Sequence, residues 1–179
     1  MCMELAEMRL NSHILVETSI GNFVIELTVK DAPKTCAYFI QLLADETLTK
    51  GTLFRVLTDE NQKSIPKINV IQLGSDSALE ESRTIIEHEN TSMTSLVHKK
   101  WSVSAARYKL GEVYQSFFIC MRDEPELNFA GARHPDGLGF ACFGKVSKGF
   151  DVVEKLYKVA GHKEILEPPI IIGAYRLIN

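Results

Sequence analysis

HILVETSIGNFVIELTV, residues 13–29, is the stretch that sets the class of fold. From His13 to Ser19 apolar and polar side chains alternate, as in a strand buried on one face. Ile20-Gly21-Asn22-Phe23 then reads as a tight turn, because Gly followed by Asn tolerates positive φ. Phe23 to Val29 is the return strand. The segment is a β-hairpin with a clear inner and outer face.

The same kind of reading extends outward. Lys30-Asp31-Ala32-Pro33 predicts a helix start, with Asp31 as cap and Pro33 in the first turn. Cys36, Phe39, Ile40 and Leu43 follow at helical spacing, and Gly51 closes the segment. Leu53–Leu57, Ile68–Gln72, Trp101–Ala106, Phe117–Met121 and Phe140–Val146 read as strands. Phe150–Val159 carries Val152, Val153 and Leu156 on one helical face. Pro168-Pro169 begin a last strand, Ile170–Ile178. Eight short strands and two helices, with no strand–helix alternation, predict a mainly β antiparallel barrel or sandwich capped by two helices. Residues 13–179 read as one domain and residues 1–12 as an N-terminal extension. Leu73–Lys100 is a long polar stretch, and Arg122–Gly139 is rich in Pro, Gly, Asp and Asn; both are expected to be loops.

Composition narrows the function classes. The chain has 179 residues, 45% hydrophobic and 24% charged, with a net charge of −3. That balance argues against nucleic-acid binding through a bulk positive field. No run of 18 apolar residues suggests a membrane span. Met1–Ser12 holds Glu4, Glu7 and Arg9 and lacks the apolar core of a signal peptide. The expected compartment is cytoplasmic, although a leader cleaved beforehand would leave no trace. Cys2, Cys36, Cys120 and Cys142 show no metal or redox spacing and read as reduced thiols. The five histidines are scattered, so no metal is expected. Neither a Gly-x-Ser-x-Gly elbow nor a phosphate-binding glycine loop occurs. The pairs Glu80-Glu81 and Asp123-Glu124 read as solvated loop carboxylates.

Three strings remain: Gly51-Thr52-Leu53-Phe54-Arg55-Val56, Val70-Ile71-Gln72-Leu73-Gly74 and Ser116-Phe117-Phe118-Ile119. Two place a polar group inside an apolar strand, and the third supplies adjacent aromatics. Strand alternation sets Phe54 and Val56 opposite Arg55, and Val70 beside Gln72. An edge strand with Arg55 in solvent fits the first string equally well.

Taken in order, the strings resemble the cyclophilin-type peptidyl-prolyl cis–trans isomerases. Glu17–Asn22 is similar to the opening hairpin of that family, and Asp31-Ala32-Pro33-Lys34-Thr35 to the start of its first helix. Phe143-Gly144-Lys145-Val146 and Gly149-Phe150-Asp151-Val152-Val153 resemble its late strand and second helix. Ser104-Ala105-Ala106-Arg107, Phe117-Phe118-Ile119-Cys120, Pro125–Gly131 and Pro135–Ala141 resemble a bacterial branch. The resemblance implies a closed eight-stranded antiparallel β-barrel capped by two α-helices, acting without cofactor or metal. It gives Arg55 the catalytic role, Gln72 the hold on the substrate backbone and Phe118 the base of the proline pocket. Phe54, Asn69, Val70, Ala105, Ser116, Leu127 and Phe140 are the expected substrate-binding positions.

The chain departs from the family pattern at several of these. Phe54 replaces a histidine, Asn69 a phenylalanine, Val70 a methionine, Ser116 a glutamine and Phe140 a histidine. Glu126 stands where a tryptophan supports tight cyclosporin binding, so cyclosporin is expected to bind weakly at most. Trp101 sits where the bacterial branch has glycine. Proline-containing peptides or proteins are the implied partners of a monomer that engages neither nucleic acid nor membrane. Two further readings follow from the drift: a proline-peptide binding or chaperone module with little catalysis, and a structural partner using the 73–100 loop.

Overall fold

The computed structural model describes residues 12–75 and 83–179. Cys2, the rest of the extension before Ser12, and Glu80-Glu81 lie outside the described residues. The elements are β1 (His13–Thr18), β2 (Gly21–Leu27), α1 (Pro33–Ala44), β3 (Gly51–Leu57), β4 (Val70–Gly74), β5 (Arg83–Ile85), β6 (Ser102–Arg107), β7 (Glu112–Cys120), β8 (Cys142–Lys148), α2 (Phe150–Tyr157) and β9 (Ile165–Ile178). The strands run β4-β3-β9-β1-β2-β8-β6-β7, and β7 pairs back onto β4. All pairings are antiparallel, so eight strands close a barrel and leave no open edge. The short β5, inside the expected loop, extends one end of β7.

Alternation explains what fills the barrel. Ile14, Val16, Phe23, Ile25, Leu53, Val56, Ile71, Leu73, Val103, Phe117 and Phe143 enter one continuous core. Phe39 of α1 stacks on Phe143 at 4.5 Å and meets Phe117 edge-on at 5.9 Å, so the helix closes one mouth through aromatic contacts. Val152, Val153 and Leu156 of α2 join the same core.

Three expectations shift. The hairpin turn occupies Ser19-Ile20, because Thr18 already pairs with Gly21, whose φ of 135° opens β2. Asp31 does not cap α1: its carboxylate accepts from Ser95, and position Ala32 has no side-chain cap. Glu89 does that work from across the chain, accepting from the backbone N–H of Lys34 and Thr35 at 3.0 and 2.8 Å. Residues 165–178 form one strand that includes Pro168-Pro169, rather than starting after them. Trp101 holds a left-handed φ of 76°. Its indole lies 5.1 Å from the Phe150 ring and 4.6 Å from the Lys100 ammonium.

Candidate active site

On the outer side of the barrel wall, Arg55 of β3 pairs with Gln72 of β4, and Gln72 pairs with Phe118 of β7. Three side chains separated by tens of residues thus stand in one cross-strand row. Two local irregularities shape its Arg55 end. Phe54 is a bulge residue: the register shifts between Leu53 and Arg55 in the pairings with both β4 and β9. On β9 the partner jumps from Ile170 to Ile165 across that shift. Pro168 and Pro169, lacking N–H donors, lie in this unpaired excursion. Beyond it the backbone re-engages, with the Val56 N–H donating to the Glu164 carbonyl at 2.8 Å.

That return brings Glu164 beside Arg55. Arg55 Nη2 donates to Glu164 Oε2 at 2.9 Å, with about a third of each side chain exposed. Arg55 Nε is buried and has no hydrogen-bond partner. Gln72 Nε2 donates to the hydroxyl of Ser116, which is fully buried. Below the row, Phe118 meets Phe140 edge-on at 5.4 Å and lies parallel to the His98 ring at 6.2 Å. His98 is 1% exposed, bonded through Nδ1 to Asn128 Oδ1 at 2.8 Å and through Nε2 to the Ser104 hydroxyl at 3.0 Å. Burial lowers its pKa to about 4, so the ring is neutral at neutral pH.

The loop between β7 and β8 folds over this face. A 3₁₀ turn, Pro125–Leu127, buries Leu127 against Val70, Phe118 and Leu57. The opposite flank is pinned by Arg107, whose side chain is 1% exposed. Its guanidinium grips Asp136 through two 2.8 Å bonds, and its Nε donates to the Gly139 carbonyl. The paired guanidinium holds the Asp136 carboxyl well below the usual carboxylate range. Gly139 has φ of 65°, and a Cβ there would lie 2.5 Å from the Asn128 backbone, so this crossing admits only glycine. These ties enclose a cavity of about 140 Å³. Its lining is apolar at Leu57, Ile68, Val70, Phe118, Leu127 and Phe140, with Arg55, Gln72, Arg107, Arg133 and Tyr114 as the polar members. Such a volume admits a small ring, not a drug-sized ligand.

The structure therefore gathers Arg55, Gln72, Phe118, Val70, Leu127 and Phe140 around one cavity. Four other expected residues lie outside its lining. Ala105 points into the barrel core, and Ala106, next along the alternating strand, takes the cavity position. Ser116 lies behind the lining and meets it through the hydrogen bond its hydroxyl accepts from Gln72. Phe54 is buried at the bulge, and as a result does not share the inner face of Val56. Asn69 is tied by its backbone, its N–H donating to Glu124 at 2.6 Å and its carbonyl accepting from Met121. Glu126 is half-buried and accepts from the Ala132 N–H, away from the cavity. Glu164, His98, Arg107 and Arg133 were not singled out from sequence. Arg107, inside the string Ser104–Arg107, carried the one local hint.

A family model described as cyclophilin type peptidyl-prolyl cis-trans isomerase/CLD matches residues 13–176. The chain is 28% identical over 176 residues to the peptidyl-prolyl cis-trans isomerase cyp18 of Streptomyces antibioticus, covering 94% of this chain and 99% of that one. It is 28% identical over 168 residues to a peptidyl-prolyl cis-trans isomerase of Acinetobacter baylyi, covering 90% and 83%. Among solved structures it is similar to a cyclophilin type peptidyl-prolyl cis-trans isomerase of Cryptosporidium parvum, with a TM-score of 0.71 at 22% identity over 94% of this chain and 98% of that one. A second structure of that protein, in the presence of the dipeptide Ala-Pro, gives a TM-score of 0.72 at 21% identity over 93% and 99%.

Proposed function

The chain belongs to the cyclophilin-type peptidyl-prolyl cis–trans isomerase family, and from that premise we propose that it rotates Xaa-Pro bonds with Arg55 as the catalytic cation, Gln72 as the backbone hold and Phe118 as the seat of the proline ring. The observation that carries the reading is the cross-strand row Arg55–Gln72–Phe118 opening on a single apolar cavity. The Ala-Pro dipeptide used with the Cryptosporidium parvum protein supports a proline-containing peptide as the ligand.

The chemistry needs little else. Resonance gives the peptide C–N bond partial double-bond character and a rotation barrier of roughly 18–20 kcal/mol. Twisting the bond breaks the resonance and localises a lone pair on the prolyl nitrogen. A fixed guanidinium directed at that nitrogen favours the twisted state over either planar one. Arg55 suits the task because it stays charged and presents rigid donors, and Glu164 holds one arm of the fork in place. The apolar lining grips the ring while Gln72 holds the neighbouring backbone. No bond is made or broken, so no nucleophile is required.

The experiment is an NMR exchange or protease-coupled assay on a neutral Xaa-Pro peptide. Wild type accelerates isomerisation, and Arg55→Ala lowers kcat/KM by about a hundredfold, the scale of removing one electrostatic donor. An Arg55→Ala variant as fast as wild type overturns the assignment. One observation favours a second reading, proline-peptide binding with little catalysis: Glu164 already neutralises part of the Arg55 charge. That reading requires chemical-shift changes on peptide titration with no acceleration by wild type.

A further inference from the structure

Among the described residues every arginine but one has a carboxylate within 4.0 Å. Arg55 pairs with Glu164, Arg83 with Glu112, Arg107 with Asp136, Arg122 with Asp59 and Glu124, and Arg176 with Glu17. Arg133 has none. It is half-buried, in the lining of the same cavity as Arg55. Its position is built rather than loose. Nη1 donates to Gln62 Oε1 at 3.0 Å and to the Pro66 carbonyl at 2.9 Å, and its backbone N–H donates to the Glu126 carbonyl. Both side-chain acceptors are neutral.

The acidic groups around it are committed elsewhere. Glu164 is bound to Arg55, and Glu124 accepts from Arg122 and the Asn69 N–H. Burial, and then the Arg55 charge, lower the Arg133 pKa. The cavity lining therefore holds three guanidiniums, of which Arg55 and Arg107 are paired with Glu164 and Asp136, while Arg133 is fixed and short of a counter-charge. A half-buried guanidinium in this state is stabilised by a carboxylate delivered with a ligand, which its planar fork can take through paired hydrogen bonds. An extended peptide advances about 3.3–3.6 Å per residue, so a neighbour of a proline seated on Phe118 stays within reach of the cavity lining.

We propose that Arg133 is a specificity-determining residue that selects proline segments carrying a carboxylate next to the proline. The inference rests on the isomerase reading above. That carboxylate comes from an acidic side chain before the proline, an acidic side chain after it, or a chain terminus immediately after it. Three peptide arms separate these sources: Glu, Gln or Lys before the proline; the same three after it; and a free or amidated C-terminus on the proline of a neutral peptide.

The test measures kcat/KM by NMR exchange with the whole chain at low ionic strength. In at least one arm the carboxylate peptide is favoured over its neutral counterpart by about fivefold or more, the order of a partly solvated charge-assisted hydrogen bond. Added salt shrinks the ratio. In Arg133→Gln the ratio within that arm falls towards one, whereas Arg133→Lys keeps a preference; thermal unfolding confirms that both variants are folded. A wild-type ratio near one in all arms overturns the inference, as does a preference that survives Arg133→Gln. Failure of the isomerase reading is distinct, because then no peptide, neutral or charged, is accelerated. The same ratios are then read as dissociation constants from chemical-shift titration and decide the inference by the same rule.

Discussion

On the inner side of β3, β4 and β7, Leu53, Val56, Ile71, Leu73, Phe117 and Ile119 are at most 1% exposed and meet only the barrel core. On the outer side of the same strands, Arg55 and Gln72 are half-buried, and each is held by a polar partner supplied from elsewhere in the chain. Residues adjacent in sequence thus serve different ends. Inner positions need only apolar shape, so any well-packed barrel satisfies them. Outer positions need a direction, and direction comes from the Glu164 and Ser116 contacts, the bulge at Phe54 and the Arg107–Asp136 clasp.

The strongest way to break this contrast is from inside. Phe117 meets Phe39, Phe143 and Tyr175 edge-on at 5.9, 6.4 and 6.1 Å. Phe117→Ala should cost about 3–5 kcal/mol, measured by denaturant unfolding. Activity per folded molecule should change far less than in Arg55→Ala. Equal losses of activity in the two variants would show that the two faces are not separable.

This division also marks how far the sequence could be read. The hairpin, both helices and the alternation that puts Arg55 outward depend on near neighbours, and period-2 and period-3.6 patterns record near neighbours. The same alternation, applied strictly to Ser104–Arg107, would have preferred Ala106 to Ala105. What stayed hidden joins distant residues. Arg55 and Glu164 are 109 apart in sequence, and Arg107 and Asp136 are 29 apart. No local period encodes such pairs, and the bulge that shifts Phe54 appears only once β4 and β9 flank β3.

A milder probe is pH. His98, behind Phe118, titrates at about 4 in the folded protein, against about 6.5 in an unfolded chain. Between these values only the unfolded state takes up the proton, so stability falls as pH drops from about 6.5 to about 4 and this contribution levels off below. The loss is at most about 3 kcal/mol. Unfolding midpoints of wild type and His98→Gln across that window should diverge, with the variant flatter. Parallel curves would remove His98 as the cause.

The smallest effect sharpens the outer face itself. Ser116→Ala takes away the acceptor of the Gln72 amide while leaving the core intact. We expect kcat/KM to fall about threefold, mostly through KM, with stability changed by about 1 kcal/mol or less. In a Gln72→Ala background the same substitution should do nothing further. An undiminished effect there would mean that Ser116 acts by another route.

The Glu89 cap has a consequence for the order of assembly. The first turn of α1 finds its carboxylate acceptor 54 and 55 residues further along the chain. While that later segment is undocked, the helix that plugs the barrel mouth has frayed, solvent-facing N–H groups at its start. Docking of the segment that carries Glu89 and completion of the first turn of α1 are therefore energetically coupled. A local element near the start of the chain thus depends on a contact of long sequence separation, the kind of contact that slows folding.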